Sequence, residues 1–300
     1  MGIQATGNAA GADERGTVLD FRLAMYYAEM VMRNNLIDDA AQALAELRRQ
    51  RPLVHNITNY VVMDFSANAL LAIGASPVMA HAAEEVREMV GLAGALVLNI
   101  GTLSRPWIDA MFAAGHAARA RGLPIVLDPV GAGATRLRTE TALLLLEEVK
   151  PTIIRGNASE ILSLAAAGGT TKGVDSTRGV EEAREAAIAI AQDAKVLVVV
   201  TGPEDFITDG VRRVRLANGH PLMSRVTGTG CVCSALVGAF AAVQADPLLA
   251  SIGSLAAYGI AGEMAAAGDP GPGSFRTRLI DALDEITPEQ VRQHARLVVE

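Results

Sequence analysis

The sequence has little of what marks several functional classes. Its 300 residues hold two cysteines, Cys231 and Cys233. Two positions apart on a helix, their sulfurs cannot meet disulfide geometry, so a disulfide framework is excluded. The same spacing turns the side chains roughly 200° apart, which excludes one metal ion shared between them. Basic residues are outnumbered, 26 Lys and Arg against 33 Asp and Glu, for a net charge of −7 and an isoelectric point near 5.3. They are also scattered, so no basic stripe is available to neutralise a nucleic acid backbone. Apolar runs such as Val196 to Val200 and Ala235 to Val243 stay well short of the roughly 18 residues that cross a bilayer, and no membrane span is expected. Asp13, Glu14 and Asp20 precede any apolar stretch, unlike a secretory signal, and the expected compartment is the cytoplasm. No G-x-x-x-x-G-K-S/T sequence occurs, and Gly131 and Gly133 lack the third glycine of a dinucleotide fingerprint. Neither a P-loop NTPase nor a typical nicotinamide enzyme is supported.

What is present is apolar material, 50% of the chain against 20% charged, the balance of one large α/β domain with a sizeable core. Apolar runs without alternation at Ala95 to Ile100, Pro124 to Val130, Thr152 to Ile154 and Lys195 to Val200 fit strands covered on both faces. Between them, Pro106 to Arg121, Thr139 to Val149 and Gly179 to Asp193 read as helices. That alternation predicts a three-layer α/β sheet, mostly parallel. Phe206 to Thr208 and Val211 to Leu216, joined through Asp209-Gly210, predict an antiparallel hairpin at one edge. Asn218-Gly219-His220 reads as a second hairpin-like stretch, leading to a long helix that ends near Gln244; Asp246-Pro247 starts another. In this reading residues 36–300 form one domain. Residues 1–35, with a glycine-rich start that carries no core pattern, form a peripheral extension in which Phe21 to Met32 predict a single amphipathic helix.

Each predicted parallel strand ends in a polar or glycine-rich tail: Asn99-Ile100-Gly101-Thr102, Asp128-Pro129-Val130-Gly131-Ala132-Gly133, Arg155-Gly156-Asn157 and Thr201-Gly202. Ligands of open α/β sheets bind beyond the carboxyl ends of the strands, so the four tails predict one site. Thr227-Gly228-Thr229-Gly230-Cys231 places two glycines where a helix begins, a backbone suited either to an anion or simply to a tight turn. Cys231 falls in the first helical turn, where the dipole is expected to lower its pKa toward neutrality and make it a proton acceptor for a substrate hydroxyl. Cys233, deeper in the apolar helix, reads as core. Asp128 and Glu160 are candidate partners of a phosphate-bound Mg²⁺, although Asp128 also suits a strand end and Glu160 the first turn of a helix. Arg155 offers a fork for phosphate oxygens or for a carboxylate, and Thr201 a hydroxyl for phosphate or for the turn that follows.

Six segments taken together resemble the hydroxyethylthiazole kinase family, a branch of the ribokinase-like fold. They are Leu53-Val54-His55-Asn56-Ile57-Thr58-Asn59, Gly74-Ala75-Ser76-Pro77-Val78-Met79, Asn99-Ile100-Gly101-Thr102-Leu103, Leu127-Asp128-Pro129-Val130-Gly131, Arg155-Gly156-Asn157-Ala158-Ser159-Glu160 and Gly228-Thr229-Gly230-Cys231. They stand in the family's order, and the likeness runs from about Asp38 to the end, through Gly271-Pro272-Gly273-Ser274-Phe275. The resemblance implies a ribokinase-like three-layer α/β/α sandwich and Mg²⁺- and ATP-dependent phosphorylation of hydroxyethylthiazole, a step in thiamine biosynthesis or salvage. It implies thiazole contacts at Met79, Gly228 and Asn59, ATP contacts at Arg155 and Thr201, and a homotrimer with active sites between subunits. Relatives acting on sugars or pyrimidines carry an acid at the Cys231 position, so the cysteine itself implies the thiazole branch. Residues 1–35 have no counterpart in the compact members of the family.

Overall fold

The unalternating apolar runs lie side by side in one sheet, and the reason is visible in which way each residue points. The structure, a computed structural model, describes residues 2, 14–169 and 180–300. Its strands are β1 (Leu53–Ile57), β2 (Ser76–Val78), β3 (Ala95–Asn99), β4 (Ile125–Asp128), β5 (Ile153–Asn157), β6 (Leu197–Thr201), β7 (Asp205–Thr208), β8 (Arg213–Leu216) and β9 (Leu297–Val299). They pair in the order β2-β1-β3-β4-β5-β6-β7-β8-β9. Pairing is parallel from β2 to β6 and antiparallel from β6 to β9. Val97, Val126, Ile153 and Val199 enter one core, while Leu98, Leu127, Ile154 and Val198 enter the other. Successive strand residues face opposite ways, so two buried faces demand an apolar residue at every position.

In chain order the helices are α1 (Glu14–Gln50), α2 (Met63–Ile73), α3 (Val86–Leu92), α4 (Arg105–Ala120), α5 (Arg136–Leu144), α6 (Ala158–Ala167), α7 (Val180–Ala194), α8 (Thr229–Ala241), α9 (Pro247–Ala265), α10 (Pro272–Glu285) and α11 (Pro288–His294). The first core takes Leu44 of α1, Leu70 of α2, Phe240 of α8, Leu255 of α9, Phe275 of α10 and Val291 of α11. The second takes Val86 of α3, Met111 of α4, Ala142 of α5, Ile161 of α6 and Ala187 of α7. The result is the expected three-layer α/β/α sandwich around a mostly parallel sheet.

Three details differ from the sequence reading. The segment read as one helix over Thr139 to Val149 is α5 followed by a π turn, Leu145–Val149, which ends at Lys150 in the left-handed region, φ 54°. Asn218-Gly219-His220 does not start a hairpin: a 3₁₀ turn, Pro221–Arg225, follows it, and the partner of β8 is the carboxyl-terminal β9. α1 runs unbroken through position 35, so the edge drawn there falls within a helix; from Ile37 onward its Ala40, Leu44 and Leu47 are core. Residues 1 and 3–13 of the glycine-rich start lie outside the described residues, as does Gly179. Finally, α9 is 19 residues long and apolar enough to pass for a membrane span, but it is 83% buried inside the fold and is a core helix.

Candidate active site

Parallel registration places the strand tails at one edge. Asn99 pairs with Asp128 across β3 and β4, and Asn157 with Thr201 across β5 and β6. Asp128 is fully buried. Its Oδ2 accepts from Asn99 Nδ2 at 2.6 Å, whereas its Oδ1 accepts no hydrogen bond and lies 3.9 Å from Arg155 Nη1. Burial, reinforced by the charge of Glu160, pushes the Asp128 carboxyl up to about 6 against the pull of Arg155. Arg155, itself 8% exposed, donates from Nη2 to the Thr201 hydroxyl.

Glu160 takes the role its sequence context left open as an alternative. With Asn157 it forms a capping box at the start of α6: its Oε2 accepts from Asn157 N at 2.8 Å, and Asn157 Oδ1 accepts from Glu160 N at 3.0 Å. Its other oxygen accepts from Gly131 N at 2.9 Å, tying the Asp128 loop to α6. Asp128 and Glu160 are thus close enough to feel each other's charge. Among the described residues no group of three or more His, Cys, Asp or Glu forms a metal-ligating cluster.

Beside these strand ends opens a cavity of about 460 Å³, lined among others by Arg155, Thr201, Asp205, His220, Gly230 and Tyr258. The start of α8 forms part of its wall. Gly228 is the N-cap, at φ 93°, and supplies no side-chain cap, so the first-turn amides of α8 meet no capping group. Only glycine fits there. A β-carbon at 228 would come within 2.6 Å of Val62 Cγ1, in a backbone region that L-residues avoid. A β-carbon at Gly230 would come 3.0 Å from Arg155 Nη1, so the first turn of α8 packs close beside the guanidinium.

Cys231 follows Gly230 but belongs to a different set of contacts. Asn59 Nδ2 donates to its sulfur at 3.4 Å and to Asn99 Oδ1 at 2.8 Å. Here the expectation of a thiol near neutrality is corrected. Burial, together with the Asp128 charge, pushes the thiol up to about 12, and outweighs N–H donation from Asn99 and Asn59. Cys233 is 2% exposed, as expected of core, yet its side chain also borders the cavity beside Arg155. Met79 lies just past β2, half-buried against the core that holds α2 and α8. Of the sequence-derived candidates, Asp128, Arg155, Thr201 and Glu160 form one group, and Asn59 and Cys231 a second joined to it through Asn99. Gly228 abuts Val62, in the turn that follows Asn59, and Met79 stands apart from the polar chain.

Sequence reasoning missed Asn99 and Asp205. Asn99 was part of a strand tail with no role given; its signal was a buried amide between two carboxyl ends. Asp205, 8% exposed, borders the cavity, and burial pushes its carboxyl up to about 7 even though Gly202 N donates to it at 3.0 Å. No sequence feature separates it from an ordinary residue at the start of β7.

Comparison with known proteins fits this geometry. A pyridoxal kinase from Staphylococcus aureus in complex with ADP matches 83% of this chain and 99% of its own with a TM-score of 0.58 at 16% identity, a likeness of fold alone. The chain shares that fold. The model of the hydroxyethylthiazole kinase family matches residues 44–289. A hydroxyethylthiazole kinase from Nitratidesulfovibrio vulgaris is 55% identical over 251 residues, 84% of this chain and 94% of the relative. The solved hydroxyethylthiazole kinase protein from Pyrococcus horikoshii superposes with a TM-score of 0.82 at 46% identity, over 87% of this chain and 98% of that one. The chain belongs to the hydroxyethylthiazole kinase family.

Proposed function

We propose that this chain transfers the γ-phosphoryl group of ATP to the hydroxyl of hydroxyethylthiazole, in the cytoplasm, as a step of thiamine salvage. One observation carries the reading beyond family membership. Along the uncapped start of α8, Gly230 borders the cavity that holds Arg155 and Thr201, while the next residue, Cys231, touches Asn59. Two sites therefore meet at one helix start. The cavity suits the nucleotide, and Asn59, Met79, Gly228 and Cys231 suit the thiazole alcohol.

Phosphoryl transfer passes through a loose transition state, so placing donor and acceptor and neutralising charge matter more than base strength. Arg155 and Thr201 would hold phosphate oxygens, and the free amides of Thr229, Gly230 and Cys231 would face charge that develops on the group in transit. Cys231 would take the proton of the attacking hydroxyl. A magnesium ion fits this donor set as a phosphate-held ion: Asp128 Oδ1 is a buried acceptor without a hydrogen bond, whereas both Glu160 oxygens already accept backbone amides. Asp128 would be its nearer partner and Glu160 would add charge, in both cases through water. When bound, the ion neutralises phosphate charge. A homotrimer completes the reading, since Tyr60 and Val61 beside Asn59 are 62% and 64% exposed and a second copy would close that side. Turnover measured side by side on hydroxyethylthiazole, hydroxymethylpyrimidine and pyridoxal tests the substrate. Preference for the thiazole alcohol is expected, and faster turnover of either of the others refutes it.

A further inference from the structure

Between the buried carboxylate of Asp128 and the sulfur of Cys231 runs a chain of two carboxamides whose orientations are fixed by their neighbours. Gly101 N, which can only donate, reaches Asn99 Oδ1 at 3.0 Å. Asn99 must therefore turn its NH₂ the other way, and Nδ2 meets Asp128 Oδ2 at 2.6 Å. Val61 N likewise fixes Asn59 by donating to its Oδ1 at 3.1 Å. The NH₂ of Asn59 then has two hydrogens to place, one on Asn99 Oδ1 at 2.8 Å and one on Cys231 Sγ at 3.4 Å. Asn99 is 1% exposed and Asn59 4%, so water does not compete for these bonds. Gly101 closes the arrangement sterically, because its α-carbon backs onto the Asn59 side chain.

We infer that Asn99 is a positioning residue of the phosphoryl-accepting side: its carboxamide, gripped by Asp128 and Gly101, holds that of Asn59 with an N–H turned toward the Cys231 sulfur. The inference rests on the kinase reading above. An N–H aimed at sulfur favours the electron-rich form that can accept a proton. Asn99 reaches the sulfur chiefly through Asn59, although its own NH₂ lies near enough to Cys231 to pull the thiol down as well. A strand-terminating asparagine with no such part would leave Cys231 unaffected.

Two variants perturb the chain from different ends. Asn99→Leu removes all three of its side-chain hydrogen bonds while keeping a similar branched shape. Gly101→Ala leaves Asn99 and Asp128 as they are, but its methyl would lie 2.6 Å from Asn59 Nδ2 and 2.9 Å from Asn59 Cβ and Cγ, so the carboxamide must move. Each is made in the parent and in Cys231→Ala, with kcat and the KM for ATP measured on hydroxyethylthiazole and melting temperature recorded. In the parent, each variant should lower kcat about tenfold, the scale of one hydrogen bond to a charged group, with the KM for ATP within about twofold of the parent. In the Cys231→Ala background neither should lower kcat further, because the group they act through is gone. An equal loss in both backgrounds, or no loss from Gly101→Ala, overturns the inference. If Asn99→Leu does not fold, Gly101→Ala decides alone. A parent enzyme that forms no thiazole phosphate refutes the functional reading instead, so the two failures are distinct.

Discussion

Replacing Cys231 tests how much a buried thiol contributes to a reaction governed mainly by positioning. Burial and the Asp128 charge push this thiol up to about 12. A group with that pKa is ionised to about one part in 10⁵ at pH 7. The sign follows directly: the proton-accepting thiolate grows as pH rises toward 12, so turnover limited by it should climb roughly tenfold per pH unit between about pH 7 and 10. Removing a general base costs roughly 10²- to 10⁴-fold, and a loose transition state places the loss near the lower end. Cys231→Ala should therefore turn over about 10² times more slowly near pH 9, with a flat profile. Cys231→Asp supplies an acceptor that needs no alkaline pH; it should equal or exceed the parent at pH 7 and lose the slope. Cys233→Ala should change turnover little, since its side chain, buried beside Arg155, takes no part in the Asn59 contact to Cys231. The assay is ADP release with saturating hydroxyethylthiazole across that pH range. A Cys231→Ala enzyme with the parent's rate and slope would reduce Cys231 to packing.

Arg155→Ala should raise the KM for ATP and also lower the melting temperature, because Arg155 is the cation beside buried Asp128, and stranding such a charge costs about 3 kcal/mol or more. A loss of stability with normal kinetics would make Arg155 purely structural. Asp205 is ionised at pH 8 although burial pushes it up to about 7, so its charge destabilises the fold at high pH, and that cost disappears as pH falls through 7 toward 4. Asp205→Asn should accordingly melt higher than the parent at pH 8, with the two converging near pH 4; the same gap at both values contradicts this. A chain starting at Met32 keeps Ile37, Ala40, Leu44 and Leu47 of α1 and should retain fold and turnover, and loss of either shows that the earlier part of α1 is required.

The layers and the convergence of the strand tails were legible in the sequence because strands buried on both faces leave unbroken apolar runs, and because parallel strands bring their polar tails to one edge. Asp128, Arg155 and Thr201 were visible for that reason. β2 and β9, three residues each, were too short to carry a pattern, and β9 exists only because β8 offers it an edge. The dual role of Glu160 was half visible, its capping-box spacing being local, while its bond to Gly131 is a tertiary contact. The thiol of Cys231 went wrong in direction: helix position is readable from sequence, whereas the burial that dominates it depends on residues distant in the chain. Asn99 was hidden likewise, because its partners Asn59 and Asp128 lie 40 and 29 positions away.

The central claim is transfer of a phosphoryl group to an alcohol, and following the γ-phosphate itself tests it most directly. ATP labelled in that group, incubated with the enzyme and hydroxyethylthiazole, should pass its label to a thiazole phosphate ester in amounts equal to the ADP formed, with almost no ADP formed when the thiazole is omitted. Label released as free phosphate at the same rate with and without hydroxyethylthiazole would contradict the account.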